Sequence, residues 1–300
     1  MLKSFSQILD KVKSNERKKI AVAAAQDEHV LEAIRDAINL EMVDAILVGD
    51  EEKIIQIANS INFDVNGLEI IHEPDNNKAA LKAVELVSSG KAHMVMKGLL
   101  ETAVILKAVL NKEIGLRTGR LMSHVAVFEV PGFNRLIFVT DAALNMYPDL
   151  KAKVDIINNA VSVAHALDIE IPKVAPICAV EVVNPDMPAT IDASLLSKMN
   201  ERGQIKGCII DGPLATDNAL SEEAAHHKKI NSPVAGKADV LLLPNIEAAN
   251  VMYKTLTYTT NSKSGGIIVG ASAPVVLTSR ADSPESKLNA IALAALVSNK

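Results

Sequence analysis

The sequence predicts an α/β protein of two domains, each a mostly parallel sheet with helices on both faces. Three observations carry this expectation. Short apolar runs alternate with longer amphipathic stretches almost from end to end, the pattern of βα units joined by right-handed crossovers. The chain has 300 residues, more than one domain usually holds. Hydrophobic residues make up 49% against 22% charged, enough for sizeable cores, and with aromatics at 3% those cores are built from Ala, Val, Ile and Leu.

Strands are predicted in order at KIAVAAA (Lys19–Ala25), DAILVGD (Asp44–Asp50), LEIIHE (Leu68–Glu73) and AHMVMKG (Ala92–Gly98). HVAVFEV and RLIFVTD follow as a hairpin around Pro131-Gly132. KVAPICAV (Lys173–Val180), IKGCIIDGPL (Ile205–Leu214), ADVLLLPN (Ala238–Asn245) and GGIIVGAS (Gly265–Ser272) complete the set, with a last apolar run ending at Ser279. Between them, DEHVLEAIRDAINL, NKAALKAVELVSSG, KAKVDIINNAVSVAHAL and IEAANVMYKTLTYTT read as helices. The βα rhythm restarts after the hairpin. The expected domains are therefore residues 1–134 with 267–300, the last strand and helix returning, and residues 135–266.

Composition excludes several classes. A net charge of −5 and few aromatics oppose a broad basic surface or stacking platform, so no nucleic-acid partner is expected. The charged N-terminal stretch lacks a signal peptide's apolar core, and GGIIVGASAPVVLTS is broken by Gly and Pro. A soluble cytoplasmic protein without membrane contact is the expectation. Cys178 and Cys208 stand apart in apolar runs and read as buried free thiols. No metal site is expected: HExxH is absent, and His226-His227 point about 100° apart on a helix.

The polar groups that remain cluster at strand ends. KGLLET (Lys97–Thr102) ends a strand where a helix starts, so its backbone N–H groups suit either an anion or a plain βα turn, with Lys97 or Lys107 adding charge. RTGR (Arg117–Arg120) is a second positive cluster, which a solvated loop would also explain. DGPL places Asp211 after a strand, with Pro213 fixing the backbone, and a third strand ends at Asn245.

The stretch APVVLTSRADSPESKLNAIALAAL is the most informative. Ser283, Pro284 and Glu285 fit the N-cap, N1 and N2 positions of a last helix, whose apolar stripe is Leu288, Ile291, Ala292, Ala295 and Leu296. Capping does not explain Ser279-Arg280, which precede it at a strand's carboxyl end, where open α/β sheets gather ligand groups. No nucleophile elbow or triad order is present, so the chemistry expected is the positioning of two substrates that react directly.

The run DGPLATDNALSEEAAHHKKINSPVAGKADVLLLPNIEAANVMYKTL, with IIVGASAPVVLTSR, resembles the phosphate acetyl/butyryltransferase family. RTGRLMSHVAVFE, KVAPICAVEVVNP and RGQIKGCIIDGPL are similar to its butyryltransferase branch, and the likeness covers nearly the whole chain. The resemblance implies a two-domain fold related to isocitrate and isopropylmalate dehydrogenases, with the active site in the interdomain cleft. It implies transfer of a short acyl group, butyryl first, between coenzyme A and inorganic phosphate. Acyl-CoA and phosphate are then substrates, no cofactor is needed, and a homo-oligomer built on dimers is expected.

The family's Ser-Arg pair matches Ser279-Arg280. The aspartate that related acetyltransferases use as presumed thiol base falls at Ser286, leaving Asp282 and Glu285 as the nearest carboxylates. An arginine frequent in the helix after the KGLLET-like turn is Lys107 here, which keeps charge but loses the bidentate fork. Catalytic candidates are Ser279, Arg280 and Asp282. Substrate-binding candidates are Lys97, Thr102, Lys107, Arg117, Arg120, Asp211, Pro213, Asn245 and Gly270. Two other readings stand beside this one. A non-catalytic acyl-CoA or acyl-phosphate sensor could keep Arg280, and an acetyl-specific enzyme would keep the same chemistry. A dehydrogenase on the related fold would need a metal site with clustered aspartates and a nicotinamide site, and neither is visible.

Overall fold

The computed structural model describes residues 1–278 and 282–298. The chain opens with α1 (Phe5–Ser14), β1 (Lys18–Ala23), α2 (Glu28–Asn39), β2 (Val43–Gly49), α3 (Glu51–Ser60) and β3 (Glu69–His72). It continues through α4 (Asn76–Ser88), β4 (Met94–Lys97), α5 (Thr102–Val109), β5 (Ser123–Glu129), β6 (Ile137–Thr140) and α6 (Leu150–Ala166). Then come β7 (Lys173–Pro176), α7 (Pro188–Glu201), β8 (Ile209–Ile210), α8 (Thr216–Leu220), α9 (Glu222–His227) and β9 (Val240–Leu242). The chain closes with α10 (Ile246–Thr259), β10 (Lys263–Val269), β11 (Val275–Val276) and α11 (Pro284–Val297). Among the described residues, no helix is long and apolar enough to cross a membrane.

Two compact units result, one of residues 5–120 with 265–300, the other of residues 1–4 with 121–264. The break lies at Leu121 rather than at Arg135. The hairpin explains the difference: β5 pairs antiparallel with β6, and β6 pairs in parallel with β9, so both hairpin strands stay with the second unit. In the first unit the strand order is β3-β2-β1-β4-β11-β10. All its pairs are parallel except β10 with β11, which only residues 270–274 separate, too few for a crossover. The second unit runs β5-β6-β9-β7-β8, parallel from β6 onward. Its core centres on Phe128, Val139, Ala175 and Leu241.

Helix starts follow their caps. Asp27, Asp50, Asp75 and Asp149 each accept a first-turn amide, at 2.7–3.3 Å, so the aspartate before each apolar stripe sets where α2, α3, α4 and α6 begin. Ser283 does the same for α11, taking the Ser286 amide at 3.1 Å with Pro284 following as N1. The expected one-sided stripe of this helix is replaced by burial all round: every residue from Asn289 to Leu296 is buried, with α1, α2 and β11 packed against it.

The turn after β4 is the tightest approach near the predicted lip. A Cβ on Gly98 would lie 2.2 Å from the Ala24 carbonyl oxygen and 2.7 Å from that of Ala23. Both neighbours are backbone of the adjoining β1 strand end and cannot swing aside. Gly98→Ala is expected to lower stability by about 1–3 kcal/mol, read as a lower denaturant midpoint at unchanged m-value.

Candidate functional site

In the first unit, the parallel register Val276↔Met96 carries the ends of β4 and β11 to one sheet edge. Lys97 closes β4 there, and its ammonium donates to the Gly98 and Leu100 carbonyls at 3.2 and 3.0 Å. The lysine thus braces the turn that leads into α5. Thr102 is the exposed first residue of that helix, and Glu101 before it forms no side-chain cap bond. Lys107 sits exposed in the last turn, where a cation suits the helix dipole, about 8 Å along the axis from Thr102. Beyond β11, Thr278 is buried, and Ser279 and Arg280 lie outside the described residues. Asp282 is half-buried just before the α11 cap, whereas Glu285 is exposed at N2.

Arg117, Arg120 and Gly270 belong to the other edge of this sheet. Gly270 precedes β11, where Ser279 follows it, and its carbonyl accepts the Thr118 hydroxyl at 2.5 Å. The Ser272 amide donates to Leu116 at 2.8 Å, completing the tie between the RTGR loop and the β10–β11 turn. Both arginines are exposed. Of the candidates in this unit, Lys97, Thr102 and Asp282 therefore share the carboxyl edge, and Arg117, Arg120 and Gly270 do not.

The second unit gathers Asp211, Pro213 and Asn245 at the carboxyl ends of β8 and β9. Asp211 is half-buried, its amide bound to the Val174 carbonyl at 3.3 Å. Pro213 is buried and follows a cis Gly212-Pro213 bond. Asn245 caps α10, its side-chain oxygen accepting the Ala248 amide at 3.0 Å. It also lines a cavity of about 930 Å³, walled by Ile177, Met187, Leu243, Val251 and Leu256. An apolar hollow with a few polar groups at strand ends is the usual form of a small-molecule site.

Sequence reasoning missed two charged groups. Lys153, 7% exposed in its side chain, pairs with Asp192 at 2.5 Å in the wall of that cavity. Lys287 is 2% exposed in α11. Both occupy apolar-stripe positions of their helices: Ile157 follows Lys153 and Ile291 follows Lys287 at i+4, and a lysine there was the available signal.

Against this geometry, the family described as phosphate acetyl/butaryl transferase matches residues 4–80 and 72–295. The chain belongs to that family. It is 69% identical to a phosphate butyryltransferase of Clostridium acetobutylicum, over 99% of each chain. To a phosphate acetyltransferase of Thermotoga maritima it is 48% identical, over 97% of this chain and 99% of that one. A branched-chain phosphotransacylase from Enterococcus faecalis V583 superposes with a TM-score of 0.83 at 32% identity, covering 94% of this chain and 99% of its own. The resemblance read from the motifs and the α/β architecture are both borne out.

Neither thiol has the setting of a nucleophile. Burial pushes Cys178 up to about 11, with Lys153 pulling it down less and Asp192 adding a further rise. Burial alone pushes Cys208 up to about 11. At pH 8 the thiolate fraction is then about 0.001, against about a quarter for a free thiol of pKa 8.5. Alkylation of the native protein by iodoacetamide at pH 8 is expected to run about two orders of magnitude slower than for free cysteine. The rate should climb about tenfold per pH unit, as peptide mass spectrometry of Cys178 and Cys208 would record.

Proposed function

We propose that the chain moves a butyryl or similar short-chain acyl group between coenzyme A and inorganic phosphate, yielding acyl phosphate and CoA. The 69% identity to a phosphate butyryltransferase over 99% of both chains carries this reading. The 48% identity to an acetyltransferase makes acetyl the weaker choice of acyl group.

In the acyl-phosphate direction, a phosphate oxygen attacks the thioester carbonyl, the C–S bond breaks, and CoA departs as a thiolate that takes up a proton. In reverse, the CoA thiol loses its proton as sulfur attacks the carbonyl carbon of the acyl phosphate, the bond from that carbon to the phosphate oxygen breaks, and inorganic phosphate leaves. Arg280 clamps two phosphate oxygens, a task that fits a planar guanidinium. Ser279 donates to the oxyanion of the tetrahedral intermediate. Asp282, next to the α11 cap, is the carboxylate assigned to the thiol proton, and Glu285 at N2 serves the helix dipole. Lys97 supplies positive charge at the carboxyl edge and Thr102 a hydroxyl, with α5 opening there on backbone amides that Glu101 does not cap, while Lys107 stands at the far end of that helix. The transfer is direct, with no acyl-enzyme and no cofactor, in keeping with thiols held well above neutral pH.

The reading extends to assembly as a homo-oligomer built on dimers.

The deciding assay is thiol release from butyryl-CoA with and without phosphate. Release that requires phosphate, together with acyl phosphate formation, is expected; a chain that binds acyl-CoA without turnover is a sensor. Arg280→Ala should lower phosphate-dependent turnover by about two orders of magnitude or more. Arg280→Lys should restore little, because one ammonium cannot replace the fork. Near-normal turnover in either variant would remove Arg280 from the mechanism.

A further inference from the structure

The hollow of the second unit is larger than a butyryl group needs. Its volume of about 930 Å³ lies near the top of the range of about 300–1,000 Å³ that small-molecule sites span, and a four-carbon chain would leave most of it empty. Among the described residues that line it, only Lys153 and Asp192 carry charge, and they pair with each other at 2.5 Å. In a chain of net charge −5 the hollow is therefore locally neutral. A phosphate or carboxylate entering it would lose its water and meet a cation that is already paired. An uncharged aliphatic chain gains by the same transfer.

The lining combines stiff and adaptable parts. Pro148 precedes the Asp149 cap of α6, Pro188 is the first residue of α7, and Pro244 precedes the Asn245 cap of α10. Each ring fixes φ where a helix starts beside the hollow, so this part of the wall is formed before a ligand arrives. Met187 and Met252 stand beside Ile177, Leu243 and Leu256. Unbranched thioethers refit around chains of different length, which a wall of branched side chains alone would not do.

We propose that this hollow binds the aliphatic chain of an acyl-CoA, including chains longer than butyryl, with the phosphates of CoA outside it. The inference rests on the acyl-transfer reading for the source of the chain, because the acyl groups in that reading arrive on CoA. Recognition is by apolar area rather than by charge. Each added methylene should therefore tighten binding about fourfold until the hollow is filled.

The test is calorimetric titration of the whole chain, without phosphate, by butyryl-, hexanoyl- and octanoyl-CoA. Two fragments are titrated beside them, free octanoate and the neutral thioester of octanoate with N-acetylcysteamine. Octanoyl-CoA should bind at least about tenfold tighter than butyryl-CoA. The neutral thioester should bind at least about tenfold tighter than octanoate. Ala189→Phe fills the hollow from α7, and Val251→Asp places a charge in its wall at a position 66% exposed. Each should bring octanoyl- and butyryl-CoA to within about threefold of each other. Ile55→Asp, exposed on α3 of the first unit, should keep the wild-type rise. If Ala189→Phe does not fold, Val251→Asp decides, because it removes no core contact. A wild-type affinity that ignores chain length overturns the inference, and so does a rise that the folded hollow variants leave intact. Octanoate binding as tightly as the neutral thioester would make the hollow a fatty-acid site and overturn the assignment to acyl-CoA. A Val251→Asp chain that sediments differently yet keeps the rise would show a second copy covering the hollow, which also overturns it. Phosphate-dependent thiol release from butyryl-CoA, measured on the same samples, tests the acyl-transfer reading separately. Turnover without chain-length dependence removes the inference alone, and chain-length dependence without turnover removes that reading while the chain site stands.

Discussion

Burial of α11 is the constraint on which the first unit depends. The helix is buried on every side from Asn289 to Leu296 and apolar from Ala290 onward, so it is stable only when enclosed, and α1 and α2 enclose it. Enclosure brings the C-terminal segment back to strands laid down some two hundred residues earlier, and β11 pairs beside β4 as a consequence. Eight consecutive buried residues, each giving up apolar surface to the core, represent several kcal/mol of hydrophobic stabilisation. That is ample to hold a short strand of two residues in register. The carboxyl edge that collects Lys97, Thr102 and Asp282 exists because this helix has nowhere else to go.

Electrostatics at that edge run against the rest of the molecule. The chain carries a net charge of −5, so an anionic substrate meets a repulsive average field and must be received locally. In the proposed reading, lysine ammonium groups, helix N-termini and strand-end amides are the groups assigned to that reception, without a basic surface. Two of the lysines are used structurally. Lys97 braces its own turn through two carbonyls, and Lys287 holds the Asp282 carbonyl from inside the core. In both, the ammonium is bonded to backbone carbonyls.

The second unit makes a different contribution. Its parallel strands end around an apolar hollow with one half-buried ion pair, Lys153 with Asp192, and one helix cap, Asn245. A half-buried pair of this kind adds little net stability, because desolvation offsets much of the attraction, and it links α6 to α7. Family membership, and the 69% identity to a butyryltransferase, give these features their chemical context.

Periodicity located the strands and most of the helices, though not α1, α3, α7 or α8, since apolar runs and caps such as Asp27 and Ser283 act over a few residues and are written locally. The motif Ser279-Arg280 and its neighbours DGPL and IIVGASAP were likewise legible as a family signature. What lay beyond the sequence was long-range. The unit boundary at Leu121 depends on which partner β6 chooses, and the separation of Arg117, Arg120 and Gly270 from Lys97 depends on β10 turning back antiparallel. The burial of Lys153 and Lys287 depends on what packs around their helices. Local sequence determines the conformation of a segment, but its partners and the burial of its charges are decided only when distant segments close around it.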